Sequence, residues 1–389
     1  MAVCVGITYN GSRILVQYNA SDGSKGVYPG SDPYTLQDIY DTDQNGAWGA
    51  MAKLGNHYEL TGYLEITGLD TYMEFDSETL KTTSDYIYNI YSHDVGYVYA
   101  IRTLFQMGQQ AKYFYFRGKC QFSWCTWNTY RQYLYFIGQG IDNKCHLTWC
   151  TFLHVFTVYA NEYVFIDRCF SAITTYPFSP DWGAEYDGYT IEDPFYAFYT
   201  NRLSGTGGPL TLRNIRIFNS DNGILYQLGD NVLGTVNFVD SNIDYTDYQL
   251  YVGIGELWLN HKTTFNATVK YGDGGVLIIK DKDGNIVYQE TLSGESMTEQ
   301  EVTFASHHVR AIVYSVFDID DLQVMEPFQL EVTKNGYNKL IIPDIAITGG
   351  ETTNVFAQMN LIVASETILP EVEIDEEPTT IALIETETE

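Results

Sequence analysis

Basic residues are scarce in this chain. Lys and Arg together number 21 against 50 Asp and Glu, a formal net charge of −29 over 389 residues. That balance repels phosphate backbones and anionic lipid surfaces, so neither nucleic-acid binding nor adsorption to a membrane surface is expected. Nowhere do the ~18 consecutive apolar residues of a membrane span occur, which excludes insertion by a helix. The opening MAVCVGITYNGSRILVQYN alternates apolar and polar residues and has no basic leader ahead of a continuous apolar run, so no signal peptide is expected. Sequons at Asn10, Asn19 and Asn266 are accordingly read as coincidence. A phosphate-cradling glycine loop is missing, and the seven histidines show no metal or triad spacing; His307-His308 reads as an exposed strand end. Asp281 and Asp283 fit a hairpin turn better than a calcium loop, which needs further ligands and a distal Glu. No metal and no cofactor are expected.

What the chain does have is tyrosine. There are 33 of them, while charged residues make up only 18% of the sequence, so the surface is built from Tyr, Asn, Ser and Thr rather than ion pairs. Such a surface suits subunit contacts and carbohydrate. The six cysteines, in a long chain read as leaderless, point to reduced thiols made in a cytoplasm. Five of them fall in a repeat. KCQFSWCTW (Lys119 to Trp127) returns as KCHLTWCTF (Lys144 to Phe152), with Cys120 and Cys125 repeated at one common offset as Cys145 and Cys150, and a third copy begins at Arg168-Cys169-Phe170-Ser171.

Short β-branched and aromatic runs, separated by Gly, Asn and Asp and recurring roughly every two dozen positions, describe the coils of a solenoid, because each coil hides its apolar face only against the next. Tyr58 to Leu80 reads as the first coils. Leu210 to Tyr226, Leu233 to Tyr248 and Gly255 to Val269 read as later ones, with Asn219, Asp240 and Asn260 in equivalent turns. Over roughly residues 45 to 270 the pattern resembles right-handed parallel β-helices of the pectin-lyase-like type. Upstream, residues 32 to 40 read as a short helix capped by Asp32 or Thr35, with Leu36, Ile39 and Tyr40 on one face. That helix lids the first coil, and the arm Ala2 to Tyr18 is expected to lie outside the stack or to serve as an attachment segment. Downstream, Val276 to Leu292 is a hairpin turning at Asp283-Gly284. With Lys334-Asn335-Gly336-Tyr337 and Gly349-Gly350-Glu351-Thr352-Thr353 it resembles the carboxypeptidase-regulatory-like β-sandwich, which implies an accessory spacer without catalytic residues. The expected fold is all-β: a parallel β-helix with an N-terminal capping helix, plus a small C-terminal β-sandwich. The expected boundaries are 1–44 for arm and cap, 45–270 for the helix, 271–362 for the sandwich and 363–389 for an acidic tail. The tail carries no core pattern, and its Thr379 to Ile384 alternation suits addition as a strand to a neighbour.

Stacked coils place Cys120, Cys145 and Cys169 one above another, and Cys125 over Cys150, as a buried thiol ladder; disulfides or a zinc site are the alternatives these residues leave open. Thr174 to Arg202 reads as a long aromatic and acidic loop interrupting the repeat. Within it Trp182, Glu185, Tyr186, Asp187, Tyr189 and Asp193 combine flat rings with hydroxyl-pairing carboxylates, the chemistry of a glycan or partner contact. Packing on the coil side, or calcium held by the carboxylates, are the other readings of that loop. Asp240, Asp244 and Asp247, with Asp221 a coil earlier, are the candidates for the carboxylate pair that a glycoside hydrolase needs. Turn residues of a solenoid in so acidic a chain are acidic by default, however, and this region holds only Arg213, Arg216 and Lys262 as basic groups. No catalytic residue is assigned.

This combination of parts is similar to tailed-virus structural proteins: a tail fibre, spike, baseplate or capsid-decorating component. The resemblance implies a non-enzymatic spacer, trimeric in many such proteins, in contact with other virion proteins and with a host-surface glycan or receptor. Such a protein is made in the host cytoplasm and acts outside it. A polysaccharide depolymerase and a cell-surface adhesin remain the alternatives.

Overall fold

A computed structural model describes residues 3–83, 88–107, 113–129, 132–172, 176–179, 182–194, 207–219, 224–227, 232–243, 248–251, 255–313 and 316–362. The fold is almost entirely β, and its main body is a parallel β-solenoid of about six turns. Each coil contributes to three faces. The first face runs through Tyr63–Asp76, Tyr88–Ile101, Tyr113–Ser123, Tyr133–Ile137 and Thr157–Ala160, all in parallel register. The earlier three of these strands bend into the second face, which continues with Cys145–Thr148 and Val164–Asp167. The third face stacks Thr79–Thr82, Leu104–Met107, Thr126–Asn128, Thr151–Leu153, Cys169–Ala172 and Tyr189–Glu192.

The corner between second and third faces is made the same way in every coil. One residue adopts left-handed backbone at Ser77, Arg102, Trp124, Trp149, Arg168, Gly188, Asn214 and Asp240. For a residue with a Cβ that conformation costs ~1–2 kcal/mol. An inter-coil hydrogen bond offsets it: Ser77 N donates to Ile101 O at 2.9 Å, Trp124 N to Thr148 O at 3.0 Å, Asn214 N to Val239 O at 2.9 Å. Corners fall unevenly along the chain, closest together at Trp149 and Arg168 and far apart from Gly188 to Asn214 and from Asn214 to Asp240, so the repeat is structural rather than numerical. This corrects the turn assignment made from spacing. Asp240 is at this corner, Asn219 is in the corner that leaves the third face, and Asn260 lies within a strand opposite Asn237.

The inward column just after the corner packs Thr103, Cys125, Cys150, Cys169, Tyr189 and Ile215, all buried. Around them Phe105, Phe114, Phe116, Phe122, Trp127, Phe136 and Phe152 fill the tube with no exposure. Stacked aromatics of this kind add ~0.5–1.5 kcal/mol per pair beyond their burial.

The N-terminal end is closed by helix α1 (Leu36–Gly46), whose Thr35 and Asp38 form a reciprocal capping box. Leu36 and Ile39 are fully buried against the first coil. The arm before it is not outside the stack. Ile7–Tyr9 and Arg13–Val16 form a hairpin, and the latter strand pairs in parallel with Tyr63 to Ile66. Ile7, Ile14 and Val16 are buried, so the alternation that suggests a free arm is the inward face of one more sheet edge.

At the other end, the long strand Gly255–Lys270 belongs to both cores. Its first half pairs with Val232–Val239 of the solenoid, and its second half pairs with Thr353–Gln358. Leu257 and Leu259 join the solenoid core, while Phe265, Ala267 and Val269 join a second one. The second core lies between that extended sheet and a four-stranded antiparallel sheet of Val276–Lys280, Ile286–Thr291, Phe328–Thr333 and Leu340–Ile345, a small β-sandwich. The turn of the first hairpin falls at Gly284, φ 82°.

Glu78, the residue after the Ser77 corner, has a carboxyl oxygen buried without a hydrogen-bond partner. Burial, and then the Asp76 charge, push its pKa from 4.5 up to about 8. At low pH the acid is neutral in both folded and unfolded chains. As pH rises from about 4.5 to about 8 the unfolded chain ionises first, so stability falls and the full penalty stands above that window. Glu78→Gln should therefore unfold at a higher temperature than the wild type at about pH 9 and nearly with it at about pH 4.5, in paired thermal melts. Equal differences at both pH values would contradict this account.

Candidate functional site

The described part of the predicted loop, residues 176–179 and 182–194, continues the coil stack, and the rest of it lies outside the described residues. Tyr176–Ser179, Glu185–Asp187 and Tyr189–Glu192 continue the three faces, the second through pairing with Leu210–Arg213. Alternation inside it sends Tyr186 and Tyr189 into the core with no exposure, and Tyr186 Oη donates to the Ala160 carbonyl at 3.0 Å. Trp182 is half-buried against the core, its indole occupying the space where side chains at Gly207 and Gly234 would stand. Glu185 and Asp193 are exposed, and Asp187 accepts from Asn214 Nδ2 at 2.8 Å. Strand period 2 points Tyr186 and Tyr189 inward and Glu185 and Asp187 outward, so the two tyrosine rings are packed in the core rather than set beside the carboxylates.

The thiols divide between two faces. Cys120 and Cys145 are register partners on the second face, where Val98 precedes and Val164 follows them. Cys169 instead continues the Cys125 and Cys150 column on the third face, since Thr126, Thr151 and Phe170, their next neighbours, are in register. The cause is a shortened coil. The segment 138–144 connects first and second faces in one coil, but the much shorter 161–163 does so in the next, so carrying the spacing of the cysteine phrases onward from Cys145 lands on the wrong face. All six cysteines are free and buried. Burial drives the Cys145 and Cys150 thiols far up, leaving them protonated and unreactive. No group of three or more His, Cys, Asp or Glu able to hold a metal occurs among the described residues.

Of the candidate carboxylates, Asp221, Asp244 and Asp247 lie outside the described residues. Asp240 is 4% exposed and accepts from Thr264 N at 2.7 Å and from Thr264 Oγ1. It borders a polar cleft of about 370 Å³ between solenoid and sandwich, lined also by Arg213, Asn214, Asn266 and Glu301. Glu301 pairs there with Arg213, and with Lys262 at 3.4 Å. Burial raises the Glu301 pKa, but hydrogen bonds and charge from Arg213 and Lys262 outweigh it and hold it below the ordinary carboxylate range. These pairs fasten the two units together.

Two outward surfaces collect aromatic side chains. On the first face Tyr91, Tyr115, Tyr135 and Tyr159 are successive register partners, with ring centroids 5.2, 5.8 and 4.5 Å apart. Tyr113 and Tyr133 form a second column beside them, 5.4 Å apart. Tyr91, Tyr113, Tyr115, Tyr133 and Tyr135 are part-exposed, whereas Tyr159, at the end of the ladder, is buried. On the second face and its corner, Trp124 and Trp149 stack at 4.9 Å and 1°, and the Arg168 guanidinium lies 5.2 Å from the Trp149 ring. Trp124 is 56% exposed and Trp149 42%. Both occupy left-handed corners, which many residue types fill in this chain; their side chains show only in register, so the sequence offered no signal for them beyond the repeat itself.

Compared with protein-family models, curated proteins and solved structures, the chain matches none.

Proposed function

We propose that this chain is a virion structural component of the tail-fibre, spike, baseplate or capsid-decorating kind, a rigid spacer that meets a host-surface glycan or receptor. The observation that carries the reading is the tyrosine ladder of the first face. A closed solenoid with a side-chain-filled interior offers chemistry only on its outside, and here the outer side of one face carries the part-exposed rings of Tyr91, Tyr115 and Tyr135 in register over three coils, the ladder ending on Tyr159, which is buried. Phenol edges and hydroxyls hydrogen-bond sugar hydroxyls or a neighbouring subunit with little loss of side-chain entropy. Copies of the chain, arranged as a trimer, and other virion proteins are the partners in this reading. Depolymerase activity has less support, since Asp240 is buried and committed to Thr264. An adhesin on a cell surface would use the same face.

Two measurements test it. Imaging of particles assembled with and without the protein should show a missing protrusion or decoration; identical outlines and equal host adsorption would sink the virion reading. Separately, Tyr115→Ala with Tyr135→Ala should weaken adsorption of the purified protein to host surface by tenfold or more, the loss of ~1.4 kcal/mol or above. Unchanged adsorption would remove the tyrosine face from the proposal.

A further inference from the structure

Charge is distributed very unevenly along this acidic chain. Residues 95–180 contain seven Lys and Arg and only three Asp and Glu. Residues 363–389 contain nine Asp and Glu and no Lys or Arg. The basic stretch forms the middle coils, and part of it gathers on the outer side of the second face. Lys119 and Lys144 are on adjacent strands, where Cys120 N donates to Lys144 O at 3.3 Å, and the Lys119 ammonium lies over the Tyr28 ring. Lys144 is exposed and has no acidic partner among the described residues. One position along, the His146 and Phe165 rings are 5.6 Å apart, Phe165 46% exposed. The far margin is the Trp124, Trp149 and Arg168 stack. From Lys119 to Trp124 this patch is about 16 Å wide at ~3.3 Å per residue. It is apolar at its centre; one margin holds the exposed Lys144 beside Lys119, whose Nζ donates to Tyr28 Oη at 2.6 Å, and at the other Arg168 is paired with Asp167 at 3.4 Å.

We propose that this patch is the docking surface for the chain's own acidic segment, residues 363–389. Charge complementarity favours it: EVEIDEE (Glu371 to Glu377) is the densest run of carboxylates in the sequence, and the patch lies in a net-basic band. Pattern favours it as well. Val372 and Ile374 alternate with the acids, as do small and polar residues with Ile381 and Leu383, so an extended segment presents apolar side chains to the Trp and Phe rings and carboxylates to the lysines. Reach permits it. The last described residue, Ile362, donates its N–H to Gly336 O, and Met359 N bonds Lys270 O. From there to the Trp149 corner is about 60 Å, counting five coil steps of ~4.8 Å and eleven strand residues of ~3.3 Å. The segment 363–389, fully extended, spans up to about 90 Å, and tethering raises the effective concentration into the millimolar range. This inference is independent of the tyrosine face.

Zero-length carbodiimide coupling of the full chain, read by mass spectrometry, tests it. At low salt, Lys144 should couple to carboxylates within Glu371 to Glu377, with a yield that does not change on dilution. The yield should fall several-fold in about 1 M NaCl, where the screening length is ~3 Å, and likewise in the Trp124→Ala, Trp149→Ala variant. Both indoles are exposed, and unchanged thermal unfolding of that variant confirms the fold. No coupling of Lys144 or Lys119 into 363–389, or a yield indifferent to salt and to the substitutions, overturns the proposal. So does coupling found only between isotopically distinct chains, which assigns the patch to a neighbour's segment. Binding of an acidic polysaccharide equally by the full chain and by a chain ending at Ile362 overturns it too, because a docked segment would compete.

Discussion

Trp127→Ala is expected to cost about 3–5 kcal/mol, enough to take the solenoid from cooperative unfolding to partial folding at room temperature. The indole is fully buried between Phe105 and Phe152, centroids 5.2 and 5.3 Å away and nearly parallel, while Phe122 and Phe136 meet it edge-on at 5.3 and 5.4 Å. Truncation opens a void spanning three coils. The coils above and below are held apart by strand hydrogen bonds at their fixed spacing, so they cannot collapse into it, and the cavity term is felt almost in full. A control separates volume from polarity. Trp127 Nε1 is buried without a hydrogen-bond partner, so Trp127→Phe keeps most of the stacked area and removes an unsatisfied donor. It should cost less than about 1.5 kcal/mol. Denaturant melts of the two variants decide the matter: equal midpoints would mean that ring volume at this position is not what holds the coils.

The same packing explains which parts of the fold were legible beforehand. Coil interiors select residue types, so Phe, Val, Ile and Cys recur every second position, and KCQFSWCTW and KCHLTWCTF rhyme because both cross the same corner. The capping helix was readable in part for a similar reason: Thr35, Leu36 and Ile39 each have one geometric role there, but the helix runs over Leu36–Gly46 rather than 32–40, and Asp32, the other expected cap, pairs instead with Lys25. The corners themselves select almost nothing. Their strain is offset by backbone-to-backbone bonds, so Ser, Arg, Trp, Gly, Asn and Asp all appear, and no residue signature marks where one face ends. Coil length is therefore free to vary, which moved Cys169 to the other column. Residues 182–194 hid their alternation because two of the inward positions, Tyr186 and Tyr189, are tyrosines set among acids and glycines, with only Ala184 and Ile191 as aliphatic markers. Aromatic and acidic composition then reads as a loop. The basic patch was invisible for a different reason: Lys119, Lys144, Trp149 and Arg168 are dispersed in sequence and meet only through the stacking of coils.

Asp240→Ala should loosen the joint between solenoid and sandwich, at a cost of about 3–5 kcal/mol, from two hydrogen bonds to a charged acceptor worth ~1.5–3 kcal/mol each. The residue closes the last corner in the stack, where its N–H donates to Lys262 O at 3.0 Å and its carboxylate receives Thr264 N at 2.7 Å together with Thr264 Oγ1. Thr263 and Thr264 are where the strand Gly255–Lys270 passes from one core to the other, and Thr263 Oγ1 donates to Glu351 O at 3.0 Å in the sandwich. Removing the carboxylate leaves two buried donors unmet at that passage. Asp240→Asn is the informative partner. Asn tolerates the left-handed backbone, φ 48°, its Oδ1 still accepts from Thr264 N, and the Thr264 hydroxyl rotates to accept from Nδ2. A loss below about 1.5 kcal/mol is expected for it. Calorimetry reads the outcome directly, since in Asp240→Ala the sandwich should melt separately from the solenoid, while the wild type and Asp240→Asn unfold in one transition. If instead both variants keep wild-type stability and a glycan-cleaving activity of the wild type disappears in each, Asp240 is a catalytic carboxylate and the depolymerase reading displaces the spacer.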